Sequence, residues 1–346
     1  MRSARPQASR SSEVFAGLPI GLPLSLLLLF LVLLPPPSVL EARGTRIDGR
    51  DYTELHGLAA RLGMQAYWLR SYETFRLRSR WTTIDAPKGG KALRINGLPV
   101  YLGFPLRESR GRLWIADEDY RHALAPILVP QAFAPRPGLS RIFLDPGHGG
   151  IDGGAENRAR GVKEKRLTLD VALRLKRLLE AGGVEVLLSR DDDAAVPLAQ
   201  RSALARRAKA DLFLSLHFNA AENREASGFE TFVLTPQHQA SSRFAAPGAG
   251  DDRLYGGNRQ DPWNTLFGYH IQRALVDRLG GPDRGLKRAR FLVLKELDCP
   301  GALVELGFIS HSPTVERLRS AAFRQTLAQA LFEGIVAYRQ RLARIQ

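Results

Sequence analysis

Cysteine is nearly absent from the chain. The 346 residues include one cysteine, Cys299, so an intrachain disulfide framework is excluded. Stability must therefore come from a buried core or from a bound metal. Cys299 precedes Pro300 and has no neighbouring base in the sequence, which favours a buried packing residue over a catalytic nucleophile. No cysteine lies near the N-terminal apolar run, which argues against a lipoprotein.

Lysine is also scarce, although the chain is strongly basic. The net charge is +15, and the 50 basic residues consist of 8 lysines and 42 arginines. Basic runs such as "ARRAK" (Ala205 to Lys209) lie within helical patterns, so a solvated helix face is the favoured interpretation. The sequence has no basic module interleaved with aromatic residues, and we therefore predict that the protein binds no nucleic acid. Attraction to an anionic polymer such as a cell wall stays open.

The apolar run near the N-terminus is short for a membrane span. Arg2, Arg5 and Arg10 precede a 13-residue run, Leu22 to Leu34, and the small residue Ala42 follows it. A membrane-spanning helix needs about 20 apolar residues, whereas a basic start, a short run and a small residue are typical of a secretory signal peptide. We predict that residues 1–42 are a signal peptide or, if uncleaved, a membrane anchor. The protein is then exported to the periplasm or cell envelope.

A stretch rich in proline and small residues, 129–140, is predicted to link two domains. Before it, residues 46–128 have the pattern of a small α+β domain. Helical spacing covers Asp51 to Met64, and short strand candidates follow, two of them joined as a hairpin through Asn96-Gly97. This domain weakly resembles the N-terminal domain of copper amine oxidases. The resemblance implies a binding or spacer module and no copper.

From Arg141 to the end, strand and helix patterns alternate. Such alternation predicts an α/β fold with a mixed, mostly parallel sheet and helices on both faces. The strongest helix prediction is amphipathic and covers residues 164–181, with Gly182 as its stop. In sheets of this kind, ligands bind at the carboxyl ends of the strands.

Four polar residues fall on that predicted edge. His148 follows the first strand of the domain, Glu164 begins the first helix, and His217 and Glu305 end two further strands. Each has a simpler explanation when taken alone: a turn residue for His148, a helix N-terminal acid for Glu164, a strand-end polar group for His217 and an arginine partner for Glu305. Together, two imidazoles and a carboxylate form a ligand set that suits zinc. The glycines around His148 are predicted to let the backbone turn tightly, so that this side chain points into a cleft.

Several motifs carry a family resemblance. The segments "FLDPGHGG", Lys163-Glu164, "ADLFLSLHFNA" and "VELGFISH" resemble, in order and spacing over residues 141–340, the zinc-dependent N-acetylmuramoyl-L-alanine amidases of the amidase type 3 family. The resemblance implies Zn²⁺ held by His148, Glu164 and His217, with Glu305 as the catalytic glutamate. It also implies that the substrate is peptidoglycan, cut between N-acetylmuramic acid and the L-alanine of the stem peptide.

Two departures from the family pattern stand out. His311 replaces the asparagine that usually closes the last motif, and residues 236–262 form an insertion rich in glycine and proline. The role of His311 is open, and we consider a gating role for the insertion. The alternatives to an amidase are another zinc amidohydrolase or carboxypeptidase, and a non-catalytic wall-binding protein. The sequence predicts no particular protein activator or oligomeric state.

Overall fold

The computed structural model of the chain describes residues 44–345. The predicted signal peptide or anchor, residues 1–42, lies outside the described residues. Within residues 44–345, no helix is long and apolar enough to cross a membrane.

The N-terminal part is built mainly from short strands. Its elements are β1 (Thr45–Ile47), β2 (Arg50–Glu54), α1 (Leu55–Arg61), β3 (Gln65–Trp68), β4 (Thr74–Arg78), β5 (Thr83–Pro87), β6 (Ala92–Ile95), β7 (Leu98–Tyr101), β8 (Arg107–Ser109), β9 (Arg112–Ala116), α2 (Asp117–Asp119) and α3 (Ala125–Leu128). The predicted hairpin is confirmed, because Asn96 and Gly97 both adopt positive φ angles, 50° and 86°, between β6 and β7. The helix predicted over Asp51 to Met64 is shorter, since residues 50–54 form β2, which pairs with β1 and β9.

The C-terminal part alternates strands and helices, as predicted. Its elements are β10 (Arg141–Pro146), β11 (Glu156–Asn157), β12 (Val162–Lys163), α4 (Glu164–Ala181), β13 (Glu185–Leu188), α5 (Leu198–Arg207), β14 (Leu212–Asn219), β15 (Phe229–Leu234), α6 (Asp261–Leu279), β16 (Asp283–Ala289), α7 (Leu292–Lys295), β17 (Gly301–Phe308), α8 (Ser312–Arg319) and α9 (Ala321–Ala343). Helix α4 ends at Gly182, the predicted stop.

One large sheet of eleven strands runs through both parts, in the order β13-β10-β14-β17-β15-β16-β7-β6-β5-β4-β3. Strands β13, β10, β14 and β17 are parallel, and β15 is antiparallel to β17. The N-terminal strands β3 to β7 add antiparallel pairings, so that half of all pairings in the sheet are antiparallel. The α/β class is confirmed, but the expected mostly parallel sheet is not, because the sheet as a whole is mixed.

The large sheet contains strands from both sides of the predicted linker, residues 129–140. Val100 of β7 pairs with Leu286 of β16, which joins the N-terminal strands to the C-terminal ones. Strands β1, β2, β9 and β8 form a separate sheet of four. The described residues belong to one compact unit.

Helices cover both faces of the C-terminal strands because the strands are apolar on both sides. On β10, Ile142 and Leu144 pack in the cluster that contains Val171 of α4, whereas Phe143 packs in the cluster that contains Ala205 of α5. This alternation follows from the two-residue period of a strand. Both faces of β10 and β14 are therefore largely buried, and the polar residues His217 and Asn219 lie within the last three residues of β14.

Candidate active site

His148 lies in the turn after β10 and itself adopts the left-handed conformation, with φ of 63°. Its carbonyl accepts a hydrogen bond from Nη2 of Arg201 at 2.9 Å. Its Nδ1 lies 2.8 Å from Oδ2 of Asp152, and its Nε2 lies 3.1 Å from Oε1 of Glu164. The turn therefore aims the ring inward at Glu164, with Asp152 behind it.

Glu164 is the first residue of α4 and is only 3% exposed. Its Oε1 accepts a hydrogen bond from the backbone N–H of Phe218 at 2.9 Å, and its Oε2 accepts one from that of Ala155 at 2.8 Å. Burial alone would raise the pKa of this carboxyl, but hydrogen bonds to His148 and His217, together with their charge, lower the pKa to about 2. The side chain is thus fixed as a carboxylate.

His217 lies on β14, with Nδ1 at 3.0 Å from Oε1 of Glu164 and its ring centre 4.9 Å from that of His148. Two glycines make this approach feasible. A Cβ at Gly147 would lie 2.5 Å from Nε2 of His217. A Cβ at Gly154 would lie 2.6 Å from Oε2 of Glu164. Both contacts are shorter than real Cβ contacts, so the sequence needs glycine at both positions.

The donor set fits a catalytic zinc ion. One ligand atom from each of His148, Glu164 and His217 lies within 4.8 Å of the other two. Two histidines and one glutamate form a recurrent set in catalytic zinc sites, where a fourth position is left for water or substrate. The contact between Asp152 and Nδ1 of His148 matches the carboxylate partners that orient metal-bound histidines.

Glu305 lies on β17, in register with His217 on one side and with Glu230 of β15 on the other. Its side chain is partly exposed, yet its Oε2 is buried and has no hydrogen-bond partner among residues 44–345. Burial raises the pKa of Glu305 well above its usual value, and the charges of Glu164 and Glu230 raise it further. A carboxyl with a free buried oxygen beside the ligand cluster is suited to proton transfer.

Sequence reasoning missed the residues that hold the turn after β10. Arg201 of α5 pairs with Asp145 at 2.7 Å and donates to the carbonyl of Pro146 at 2.9 Å. Arg190 donates to the carbonyl of Gly147 at 2.9 Å. Among 42 arginines, nothing in the sequence separates these two buried ones from solvated ones. Asp152 could have been predicted as a partner of His148, since it lies four residues after His148 in a loop otherwise rich in glycine.

The other predicted residues lie outside the ligand cluster. His311 precedes α8, and its Nδ1 lies 2.7 Å from Oγ1 of Thr314. Cys299 is buried as predicted, and burial raises the pKa of its thiol to about 12. The insertion 236–262 is anchored at Gln239, which is fully buried, and is exposed from Arg243 to Gly250.

Residues 142–337 match the sequence profile of the N-acetylmuramoyl-L-alanine amidase family Amidase_3. The chain is 36% identical over 197 residues to the N-acetylmuramoyl-L-alanine amidase LytC of Bacillus subtilis, covering 57% of this chain and 35% of that protein. It is 33% identical over 249 residues to the amidase AmiC of Escherichia coli, covering 64% of this chain and 60% of that protein. A solved N-acetylmuramoyl-L-alanine amidase of Nostoc punctiforme aligns with a TM-score of 0.49 and 28% identity, over 59% of this chain and 99% of that one.

The chain thus spans less than two thirds of these two relatives from Bacillus and Escherichia. The family profile, however, covers more than half of the chain and includes all four predicted site residues. The chain therefore belongs to the N-acetylmuramoyl-L-alanine amidase family.

Proposed function

We propose that the protein is a zinc-dependent peptidoglycan hydrolase that cleaves the amide between N-acetylmuramic acid and the L-alanine of the stem peptide. The observation that carries this proposal is the convergence of His148, Glu164 and His217 on one point, with Glu305 in register beside His217. Family membership selects the substrate class, because the geometry alone would serve other amides.

Three side chains hold the metal in this proposal: His148, Glu164 and His217. Zinc in such a site supplies Lewis acidity, which makes a water molecule acidic near neutral pH and an amide carbonyl easier to attack. Asp152 keeps the Nδ1 side of His148 occupied, so that Nε2 is free to face the ligand point. The backbone N–H groups of Phe218 and Ala155 fix Glu164 in one rotamer.

Glu305 carries the proton. Its free Oε2 accepts a proton from the attacking water, and the water oxygen forms the new bond to the lactyl carbonyl carbon. The same carboxyl then delivers the proton to the L-alanine nitrogen as the carbon–nitrogen bond breaks. The products are the lactyl carboxylic acid and a free stem peptide, so one water molecule is consumed in each turnover.

We also propose that the protein acts outside the cytoplasm, in the periplasm or cell envelope. The support is the basic start and the short apolar run within residues 1–42. Fractionation of the native host should place the protein in the envelope or periplasmic fraction. Recovery of the full-length chain in the cytosol would contradict the proposed location and deprive the enzyme of its substrate.

The activity is tested by mass spectrometry of purified peptidoglycan after digestion with the zinc-loaded protein. The proposal expects stem peptides with a free N-terminal L-alanine and glycan strands with free lactyl groups. Chelation should stop this release, and added zinc should restore it. Shortened stem peptides still joined to glycan would instead indicate a carboxypeptidase, and binding without any release would indicate a wall-binding protein.

A further inference from the structure

A cavity opens on the face of the sheet that carries the Glu305 side chain. Its volume is about 570 Å³. The side chains that matter here come from three parts of the chain: Tyr101 of β7, Arg243 and Phe244 of the insertion, and Phe232, Lys287 and Phe291 from β15, β16 and the residue before α7. None of these residues belongs to the predicted site.

A row of polar side chains connects this cavity to the ligand cluster. Glu305 is in register with Glu230, and the carboxylate of Glu230 contacts the ammonium group of Lys287. The Lys287 ammonium lies 5.5 Å from the ring centre of Tyr101 and 5.8 Å from that of Phe232. Because neighbouring strands lie about 4.8 Å apart, the cavity begins about 10 Å from Glu305. One extended molecule can therefore reach both places.

The insertion is fixed over this cavity by contacts with both halves of the sheet. The Lys91 ammonium donates to the carbonyl of Phe244 at 2.6 Å. Ser242 and Arg288 exchange hydrogen bonds: the Ser242 N–H donates to the Arg288 carbonyl at 2.9 Å, and the Arg288 N–H donates to Oγ of Ser242 at 2.8 Å. The cavity thus exists because the N-terminal strands and the insertion are both present.

Two of the four cations that line the cavity have no ion pair among residues 44–345: Arg288, which is buried and donates to the carbonyl of His122, and Arg243, which is exposed. Lys287 forms an ion pair with Glu230, and Arg290 forms one with Asp251 at 2.6 Å. Arg243 is exposed, stacks on the Phe244 ring at 4.5 Å and has no carboxylate within ion-pair distance among residues 44–345. An arginine held on an aromatic ring presents a planar set of donors to a carboxylate.

The geometry points to a binding site for the acidic stem peptide, in which Arg243 pairs with a peptide carboxylate. This inference rests on the proposed function. An extended peptide rises about 3.3 Å per residue, so its chain would enter the cavity roughly three residues beyond the scissile amide. The stem peptide complements the positive charge of Arg243 better than the glycan does. The lactyl carboxyl group of the glycan forms the amide bond and therefore carries no charge.

The test uses a synthetic N-acetylmuramoyl tetrapeptide with free side-chain and terminal carboxylates, and the same compound with those groups amidated. Binding of both is measured to the zinc-loaded Glu305→Gln protein, and hydrolysis is measured with the wild type. We expect the acidic form to bind about three- to fivefold more tightly at low salt, as for an exposed ion pair. Added salt should reduce this preference.

Arg243→Gln, introduced into the same background, should abolish the preference, whereas Arg339→Gln, an exposed arginine on α9, should preserve it. Equal binding of the two peptides, or an unchanged preference in Arg243→Gln, would overturn the inference. A third outcome would also overturn the inference: a peptide-free glycan fragment binds, Phe244→Ala weakens that binding, and amidation of the peptide carboxylates changes nothing. The cavity would then be a sugar-binding site. Carboxylate-dependent binding through Arg243 without hydrolysis by the wild type would support the cavity and contradict the proposed activity.

Discussion

At the scale of single residues, the candidate metal site depends on two glycines beside it as much as on the three candidate ligands. Gly147 and Gly154 leave room for the His217 ring and for the Glu164 carboxylate. Asp152 contacts His148 on the side away from the ligand point. The positions of the three candidate ligands therefore depend on the small size of the two glycines and on the negative charge of Asp152.

Gly147→Ala is expected to abolish zinc binding while the protein stays folded. The added methyl group would overlap the His217 ring, and the ring would have to leave the ligand cluster. Zinc content after dialysis and the melting temperature measure the two effects. Gly248→Ala is the control, because its backbone is outside the left-handed region and a Cβ there meets no atom within 4 Å. Full zinc occupancy in Gly147→Ala would mean that His217 does not bind the metal.

Asp152→Asn should weaken zinc binding by about 10–100-fold, the range found when the partner of a metal-bound histidine is removed. The amide is neutral and interacts less favourably with Nδ1 of His148 than the carboxylate does. Competition with a chelator of known affinity gives the ratio of dissociation constants. Asp191→Asn, at an exposed position after β13, should leave the affinity unchanged. Equal affinities for wild type and Asp152→Asn would show that the 2.8 Å contact has no part in metal binding.

At the scale of elements, the turn after β10 is held by residues far along the chain. Arg190 follows β13 and Arg201 belongs to α5, yet both donate to carbonyls of residues 146–148. Asp145 accepts hydrogen bonds from Ser189 and Ser215 and pairs with Arg201, all of them buried. The position of this turn therefore depends on the packing of α5 against the sheet.

Arg201→Ala is expected to destabilise the protein by about 3–5 kcal/mol, the usual cost of removing one member of a buried ion pair. The Asp145 carboxylate would keep its burial and lose its cation. Denaturant unfolding of the metal-free protein measures the change, with Arg206→Ala on the exposed side of α5 as the control. A loss no larger than that of the control would indicate that Arg201 contributes nothing to the turn.

Much of this element-level picture follows from the sequence, and some does not. The alternating pattern after Arg141 predicts the C-terminal elements, and the strand-end rule predicts that His148, His217 and Glu305 lie in one region. The prediction that His217 and Glu305 end their strands is wrong, because β14 continues to Asn219 and β17 continues to Phe308. The pairing of Val100 with Leu286 was not predictable, because alternation of residues identifies a strand but not its neighbour. The roles of Arg190 and Arg201 also depend on contacts between distant segments, which a single sequence does not record.

At the scale of the whole molecule, a buried polar cluster joins the N-terminal part, the insertion and the C-terminal strands. Asp119 of α2 accepts hydrogen bonds from the backbone N–H of Gly103 at 2.6 Å and from the amide of Gln239 at 3.2 Å. Arg288 of β16 donates to the carbonyl of His122 at 2.6 Å. These contacts join the N-terminal strands to the rest of the folded protein, and they support the cavity beside Arg243.

The buried residue Asp261 interacts with the charge of Arg288, which belongs to this cluster. The pH dependence of stability therefore tests the cluster. Burial raises the pKa of Asp261 to about 7, although a hydrogen bond from Asn258 and the charge of Arg288 oppose the rise. An unfolded aspartate ionises near pH 4. Between these values the folded chain keeps a proton that the unfolded chain has released, so this residue makes stability fall as the pH rises. The expected slope approaches about 1.4 kcal/mol per pH unit.

Asp261→Asn should remove that slope. The difference in unfolding free energy between Asp261→Asn and the wild type should therefore move in favour of the variant from pH 4.5 to pH 7, at about the slope given above. Urea unfolding at several pH values measures it, and Asp252→Asn in the exposed part of the insertion is the control. A difference that does not change with pH would contradict a buried, neutral Asp261.

We propose that Glu305 transfers the proton, whereas His148, Glu164 and His217 hold the metal. The most direct measurement is the turnover of Glu305→Gln on muropeptide substrate, compared with the wild type at equal, measured zinc occupancy. Glutamine has nearly the same shape and cannot accept the proton, so turnover should fall by about 10²–10⁴-fold while zinc and melting temperature stay unchanged. A folded, zinc-loaded Glu305→Gln protein with turnover within about threefold of the wild type, far less than general acid–base catalysis contributes, would show that Glu305 does not transfer the proton.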